Sequence, residues 1–426
     1  MIKNPKFALI CGVITLILGG CNPNSETIEA SAKSEEGLIK RALQIHDRVL
    51  TIDTHADTPL RMLEPGFDLS ERHDPYETGS KVDYPRMKEG GLDAIFFAAF
   101  VAQDIRDDSG NERAKTLVLQ MIEAVVASTA DNSDDVGLAL TPDDAYEMEK
   151  ANKRAIYIGM ENGYPIGNNL DNLELFFNAG VRYITLVHSS NNDISDSATD
   201  QNGPEHQGIS AFGEKVITEM NRLGIIVDIS HGSDDAFYDA IAISKAPIIA
   251  SHSNVRSVFD HRRSMSDEML ELVAANRGVV NVTPYPSYLR EKLENPERDA
   301  AISLLLKDAK SPSDMTSSER AEMTQAYNEI NQRFPTDLAT VSDLVDHIDR
   351  IAEVAGIDHV GIGSDFDGGG GVERAFDASE VMNITIELVR RGYSEEEIEK
   401  IWGKNLMRVF REVQAIAESM QIETQA

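Results

Sequence analysis

GISAFGEKVITEMNRLGIIVDISHGSDDAFYDAIAISKAPIIASH (208–252) contains one structural plan twice over. Residues 208–224 carry apolar side chains at 209, 212, 216, 217, 220 and 223 and stop at Gly224, the spacing of an amphipathic helix with a glycine end. IIVDISH (225–231) is a continuous apolar, β-branched run, as expected of a strand buried on both faces. DDAFYDAIAIS (234–244) opens on acids, which favour a helix N-terminus, and PIIASH (247–252) is again a buried strand. Both strands end in a histidine, His231 and His252.

The same plan extends in both directions. VLTIDTH (49–55), AIFFAAF (94–100), AIYIGME (155–161), YITLVH (183–188), VVNVT (279–283) and HVGIGSD (359–365) bring the strand-like runs to eight. SDEMLELVAANRG (266–278) and TVSDLVDHIDRIAEVAG (340–356) add capped helices between them. Eight strand–helix alternations predict an α/β fold, the (β/α)8 TIM barrel. Residues 285–338 interrupt the rhythm and are charged and helix-prone, so a helical insertion after strand 7 is expected, as a surface elaboration or as a lid. Residues 395–418 read as a closing helix, with IETQA (422–426) as a loose end.

The chain has 426 residues, 41% hydrophobic and 26% charged, enough apolar content for a large core. Asp+Glu number 72 against 40 Lys+Arg, a formal net charge of -32, which excludes nucleic acid as a natural partner. Residues 1–20 carry Lys3 and Lys6, an apolar run from Phe7 to Leu18, and Leu18-Gly19-Gly20-Cys21. This reads as a signal peptide ending in a lipobox, cleaved before a lipidated Cys21. Residues 21–40 read as a flexible tether and 41–420 as the barrel domain. The expected location is the periplasmic side of a bacterial envelope, membrane-anchored through the lipid. Asn22 after the cysteine inclines this toward the outer membrane. Cys11 and Cys21 are the only cysteines, so the mature chain has no disulfide, thiol nucleophile or thiolate ligand.

Barrel enzymes place their chemistry at the C-terminal ends of the strands. Here those ends carry His55 and Asp57, Glu161, His188, His231, His252 and Asp365. A histidine at one strand end is ordinarily structural; six such ends in one barrel form a ring. HxD on a strand puts His55 and Asp57 on one face, able to reach one cation. His231 and His252 end neighbouring strands and can reach another, and Glu161 lies between the pairs, its two oxygens suited to bridging. Imidazole and carboxylate without thiolate suit two Zn²⁺ ions, and Mn²⁺, Fe²⁺ or Co²⁺ less well. Such a pair would lower the pKa of a shared water.

HAD (55–57), GMENGYPIG (159–167), LVHSSNN (186–192), VDISH (227–231), IIASHSNVRSVFDHRR (248–263) and GIGSDFDG (361–368) resemble, in order, the motifs of the membrane (renal) dipeptidase family. YPRMKEGGLDAIFFAAFV (84–101) and GKNLMRVF (403–410) fit the same pattern, so the resemblance runs from about residue 45 to 415. It implies a binuclear zinc peptidase of the amidohydrolase-like barrels that acts on dipeptides through a metal-bridging hydroxide. By motif, His55, Asp57 and Glu161 would hold one zinc, and Glu161, His231 and His252 the other. His188 would bind substrate and stabilise the oxyanion, Arg263 would bind the substrate carboxylate, and Asp365 would be the general acid/base. Arg262 and Asp367 are the neighbouring alternatives. The resemblance also implies a homodimer. Acceptance of a C-terminal D-residue, which the family often shows, stays open. SSNNDISDSATDQNGPEHQG (189–208) departs from the tryptophan-bearing family loop, so side-chain specificity stays open too. The rivals are another binuclear amidohydrolase-type hydrolase, against which HxD and Glu161 speak, and a non-catalytic peptide- or metal-binding lipoprotein.

Overall fold

The computed structural model describes residues 24–425, apart from 292, 308, 311–314 and 336. The signal peptide and Cys21 lie outside the described residues. All eight apolar runs form strands of one parallel sheet: β1 (Ile52–Ala56), β2 (Ala94–Phe100), β3 (Arg154–Glu161), β4 (Val181–Thr185), β5 (Ile226–Asp228), β6 (Ile249–Ala250), β7 (Val279–Val282) and β8 (Val360–Ile362). They neighbour one another in chain order. The ring closes between β8 and β1 through main chain: Asp57 N–H donates to Phe366 O at 2.8 Å and Asp365 N–H to His55 O at 2.9 Å. A short strand, Val136–Leu138, pairs outside the ring with β3 and was not foreseen.

Side-chain alternation along β2 shows how the two faces are used. Ala94 and Phe96 enter the barrel interior with Ile52, Tyr157, Tyr183, Ile249 and Val279, while Ile95, Phe97 and Ala99 join the outer core under the helices. Leu406, Met407, Phe410 and Val413 pack into the interior cluster, so the closing helix plugs the end of the barrel opposite the strand C-termini. Ser210, Ser233, Ser266 and Thr340 cap the helices after them by accepting an N–H three residues on.

The helical insertion follows β7, as expected, with helices Pro286–Leu289, Pro296–Leu306 and Ser317–Arg333. The last of these leans on the connection after β1, where Gln332 Nε2 donates to Tyr76 O at 2.6 Å. Two readings need correction. The stretch read as a tether, 21–40, is helical from Asn24, in a helix running to His46; its Glu, Ala and Lys content favours helix as much as it favours solvation. Of the loose end read at IETQA, residues 422–425 are instead the last turn of a helix that continues to Gln425, with no glycine or proline to stop it.

Candidate active site

Parallel register brings the reactive residues to one rim. Glu161 stands level with Phe100 and with Thr185, Thr185 with Asp228, and Asp228 with Ile249. His188, His231 and His252 emerge just beyond those rungs. His231 has φ +70° and Asp365 φ +54°, left-handed conformations that cost an L-residue energy.

Glu161 is the centre of the cluster. Its Oε2 lies 3.5 Å from His55 Nε2, while Oε1 lies 3.0 Å from His231 Nε2 and 3.4 Å from His252 Nε2. His55 Nε2 also faces Asp57 Oδ1 at 3.4 Å. Possible ligand atoms of His55, Glu161 and His252 lie within 4.8 Å of one another, as do those of Glu161, His188 and His231, and of His55, Asp57 and Asp365. The seven rim residues expected from the sequence are thus brought together. One detail differs: His252 approaches His55 as well as His231, the first pair of rings lying 3.9 Å apart.

The donor atoms suit a cation. Among the described residues His55 Nε2 and Asp57 Oδ1 are buried without a hydrogen-bond partner, and the Nε2 atoms of His231 and His252 point at each other at 2.8 Å. Burial, and then the Glu161 charge, push the Asp57 carboxyl up to about 6. Burial and then the Asp57 charge raise Asp365 well above the usual carboxylate range. Burial, then Arg263, hold His231 well below 6.5; burial, then His55, do the same for His252. Against burial, the Glu161 and Asp57 carboxylates raise His55 well above 6.5, a proton a cation would displace; crowded carboxylates beside the unprotonated His231 and His252 fit divalent cations.

Buried partners set the ring orientations. Tyr183 Oη lies 2.8 Å from His55 Nδ1. Ser251 Oγ donates to Asp228 Oδ2 at 2.6 Å and lies 2.8 Å from His252 Nδ1, which it must accept from. For His252 this puts the proton on Nδ1 and leaves Nε2 free to ligate; at His55 a metal on Nε2 would require the proton on Nδ1, with Tyr183 Oη accepting it. Tyr183 and Asp228 were not singled out in the sequence. Asp228 left a trace, as a carboxylate inside an apolar run, which Asp53 in VLTIDTH also is; Tyr183 left none, since an aromatic residue in a strand reads as core.

His188 sits half-buried against the His231 ring, with centroids 4.2 Å apart. Burial pushes its imidazole down to about 4, so it is neutral at pH 7. Ser189 Oγ lies 3.0 Å from its Nδ1; a hydroxyl donating there leaves Nε2–H as donor. Arg263 is buried, while Arg262 is exposed. Arg263 precedes Ser264–Met265, which pairs with Asn254–Val255 in a small ribbon unforeseen in the sequence. Its Nη2 donates to the His252 carbonyl at 3.3 Å, its Nε has no partner, and with His231 and Tyr288 it lines a pocket of about 480 Å³. Tyr288 belongs to the insertion, which therefore lines the site with its first turn.

The two aspartates after β8 also separate. Asp367 accepts Lys81 N–H at 2.6 Å and the Thr58 hydroxyl at 2.8 Å, and so ties loops together. Asp365 instead faces Asp57 across Gly368, where a Cβ would overlap an oxygen of each carboxylate.

Known proteins share this chain's sequence and fold. The family model described as "Membrane dipeptidase (Peptidase family M19)" matches residues 39–424. "Dipeptidase tcpJ" of Claviceps purpurea is 31% identical over 361 residues, covering 83% of this chain and 75% of its own. "Dipeptidase verJ" of Clonostachys rogersoniana is 30% identical over 398 residues, covering 90% and 89%. Among solved structures, the probable dipeptidase PvdM from Pseudomonas aeruginosa superposes with a TM-score of 0.76 at 29% identity, covering 89% of this chain and 99% of that one. The fold is shared as well with a metallo peptidase from Rhodobacter sphaeroides liganded with a phosphinate mimic of L-Ala-D-Ala, at a TM-score of 0.68 and 22% identity, covering 86% and 99%.

Proposed function

Because the chain belongs to the membrane dipeptidase family, peptidase family M19, we propose that its barrel mouth cleaves the peptide bond of dipeptides using two zinc ions that share Glu161. Membership makes it a metal-dependent hydrolase of dipeptides. The number and identity of the ions and the division of roles are our reading. The observation that carries it is the position of Glu161, one oxygen toward His55 and the other toward His231 and His252.

His55, Asp57 and Glu161 would hold one ion, and Glu161, His231 and His252 the other. Bound there, the pair supplies Lewis acidity and a water of lowered pKa. Arg263 offers a substrate carboxylate a buried guanidinium whose Nε is unpartnered. Neutral His188 donates from Nε2 to the oxygen that gains charge as the amide carbonyl is attacked, a contribution of about 3–4 kcal/mol. Asp365, whose carboxyl burial and the Asp57 charge hold above the usual carboxylate range, takes a proton from the attacking water and delivers it to the leaving amine. Such transfer is worth about 10²–10⁴ in rate.

The lipobox supports a second proposal: cleavage before Cys21, lipidation there, and residence on the periplasmic face of the envelope, the outer membrane by preference. Among the described residues no helix is long and apolar enough to cross a membrane. Homodimerisation is proposed on the family resemblance. The function is tested by loading the protein with zinc, counting bound metal, and assaying L,L and L,D dipeptides. Turnover that requires the metal supports the reading, and metal-independent or absent turnover refutes it.

A further inference from the structure

Resting on the dipeptidase reading, the geometry points to a preference for dipeptides whose C-terminal residue carries a cationic side chain. If Arg263 takes the substrate carboxylate, the C-terminal side chain lies in the pocket beside it. That pocket is lined by the loop after His188, and its walls are polar: Ser189, Ser190, Asp200, Gln201 and Asn202, with Tyr288 the one aromatic. A leucine or phenylalanine side chain would strip water from these groups and return little apolar contact.

Asp200 decides the sign. It is the one carboxylate in this lining, and Arg263, the one guanidinium, is committed to the substrate. Burial opposes its ionisation, but the amide N–H groups of Asn191 and Asn202, both at 2.7 Å, hold the carboxyl below the usual range. It therefore stays charged at any working pH. Beyond Asp200 the space continues into a second hollow of about 510 Å³ that shares Ser190, Asp200 and Asn202 and adds Asp104 and Glu205. Arg106 in that hollow pairs with Glu205 at 2.9 Å and Asp193 at 3.7 Å, and its charge also reaches Asp200, behind the wall that faces the site. An extended cation reaching outward from the site meets Asp200 first; the far carboxylates, Asp104 and Glu205, are paired with Arg113 at 3.0 Å and Arg106 at 2.9 Å, so Asp200 carries the preference.

The test compares kcat/KM of the zinc-loaded full chain for Ala-Lys, Ala-norleucine, Ala-Glu and Ala-Ala. Norleucine matches the lysine stem without its charge. A half-exposed carboxylate favours Ala-Lys over Ala-norleucine by about fivefold, with Ala-Glu poorest. Asp200→Asn keeps an oxygen for the Asn191 amide, and brings the Lys/norleucine ratio to within about twofold. Should that variant not fold, Asp200→Ser carries the same comparison. Norleucine equal to or better than lysine in the unaltered protein overturns the inference, as does a lysine preference that survives loss of Asp200. If Ala-Ala is cleaved without a lysine preference, only this inference fails; if no dipeptide is cleaved, the dipeptidase reading fails with it.

Discussion

The hydroxyl of Tyr183 lies 2.8 Å from Nδ1 of His55 inside the barrel, one layer beneath the cluster around Glu161. Gly159 makes room for that ring, since a Cβ there would collide with it. The contact fixes the plane of the His55 ring and aims Nε2 at Asp57 and Glu161. Tyr183→Phe keeps the packing and removes the oxygen. The expected loss is about 10–100-fold in metal affinity, read by chelator competition, with activity recovered at excess zinc. Unchanged affinity would show that the hydroxyl does not orient the ligand.

Asp365→Asn keeps size and polarity but cannot exchange the proton. We expect kcat to fall about 10²–10⁴-fold with bound metal unchanged. Asp367→Ala provides the contrast. It leaves the Lys81 amide and the Thr58 hydroxyl without their acceptor, so stability falls by about 1–3 kcal/mol in denaturant titration. If Asp367→Ala instead reproduced the kcat loss and Asp365→Asn did not, the two roles would be exchanged.

Arg263→Ala should raise KM for dipeptides with a free carboxylate by about 10²-fold, from loss of a charge-assisted pair, and have little effect on carboxyl-amidated ones. Exposed Arg262→Ala should change neither more than about twofold. An equal KM rise for free and amidated substrates would remove the carboxylate contact from the account.

Two histidines outside the ligand cluster predict acid sensitivity. His46 Nε2 donates to Gly90 O at 2.8 Å, and its Nδ1 accepts from the Thr385 hydroxyl at 2.7 Å. His347 Nδ1 accepts the Val255 amide at 3.0 Å. Burial lowers both pKa values below 6.5, so each folded-state pKa lies beneath its unfolded value. Their contribution is complete above about pH 6.5 and is lost as pH falls toward the folded pKa, at up to about 1.4 kcal/mol per pH unit for each imidazole. Denaturant midpoints between pH 7.5 and 5 measure this. A His347→Gln variant with an undiminished acid slope would contradict it.

The eight strands were legible because parallel strands buried on both faces are continuous apolar runs, and each has a helix pattern behind it. The rim residues were legible because a charged or imidazole side chain at the end of such a run is conspicuous. What supports the rim was not. Tyr183 is indistinguishable in sequence from the core aromatics Phe96 and Tyr157 that it packs beside. Asp228 was visible as a misfit in IIVDISH, but its path through Ser251 to His252 depends on strand register, which sequence alone does not fix. Arg263 and Arg262 are adjacent and chemically alike; only the Ser264–Met265 ribbon turns one inward. Residues 24–40 show the opposite error, since polar composition fits a surface helix as well as a coil.

The most direct measurement follows activity during zinc titration of metal-stripped protein, with bound metal counted alongside. The account predicts that hydrolysis of Ala-Ala is absent without metal and complete only at two ions per chain, and that Glu161→Ala retains neither tight binding nor turnover. Full turnover in metal-free protein, or a Glu161→Ala variant that still binds two ions tightly, would contradict it.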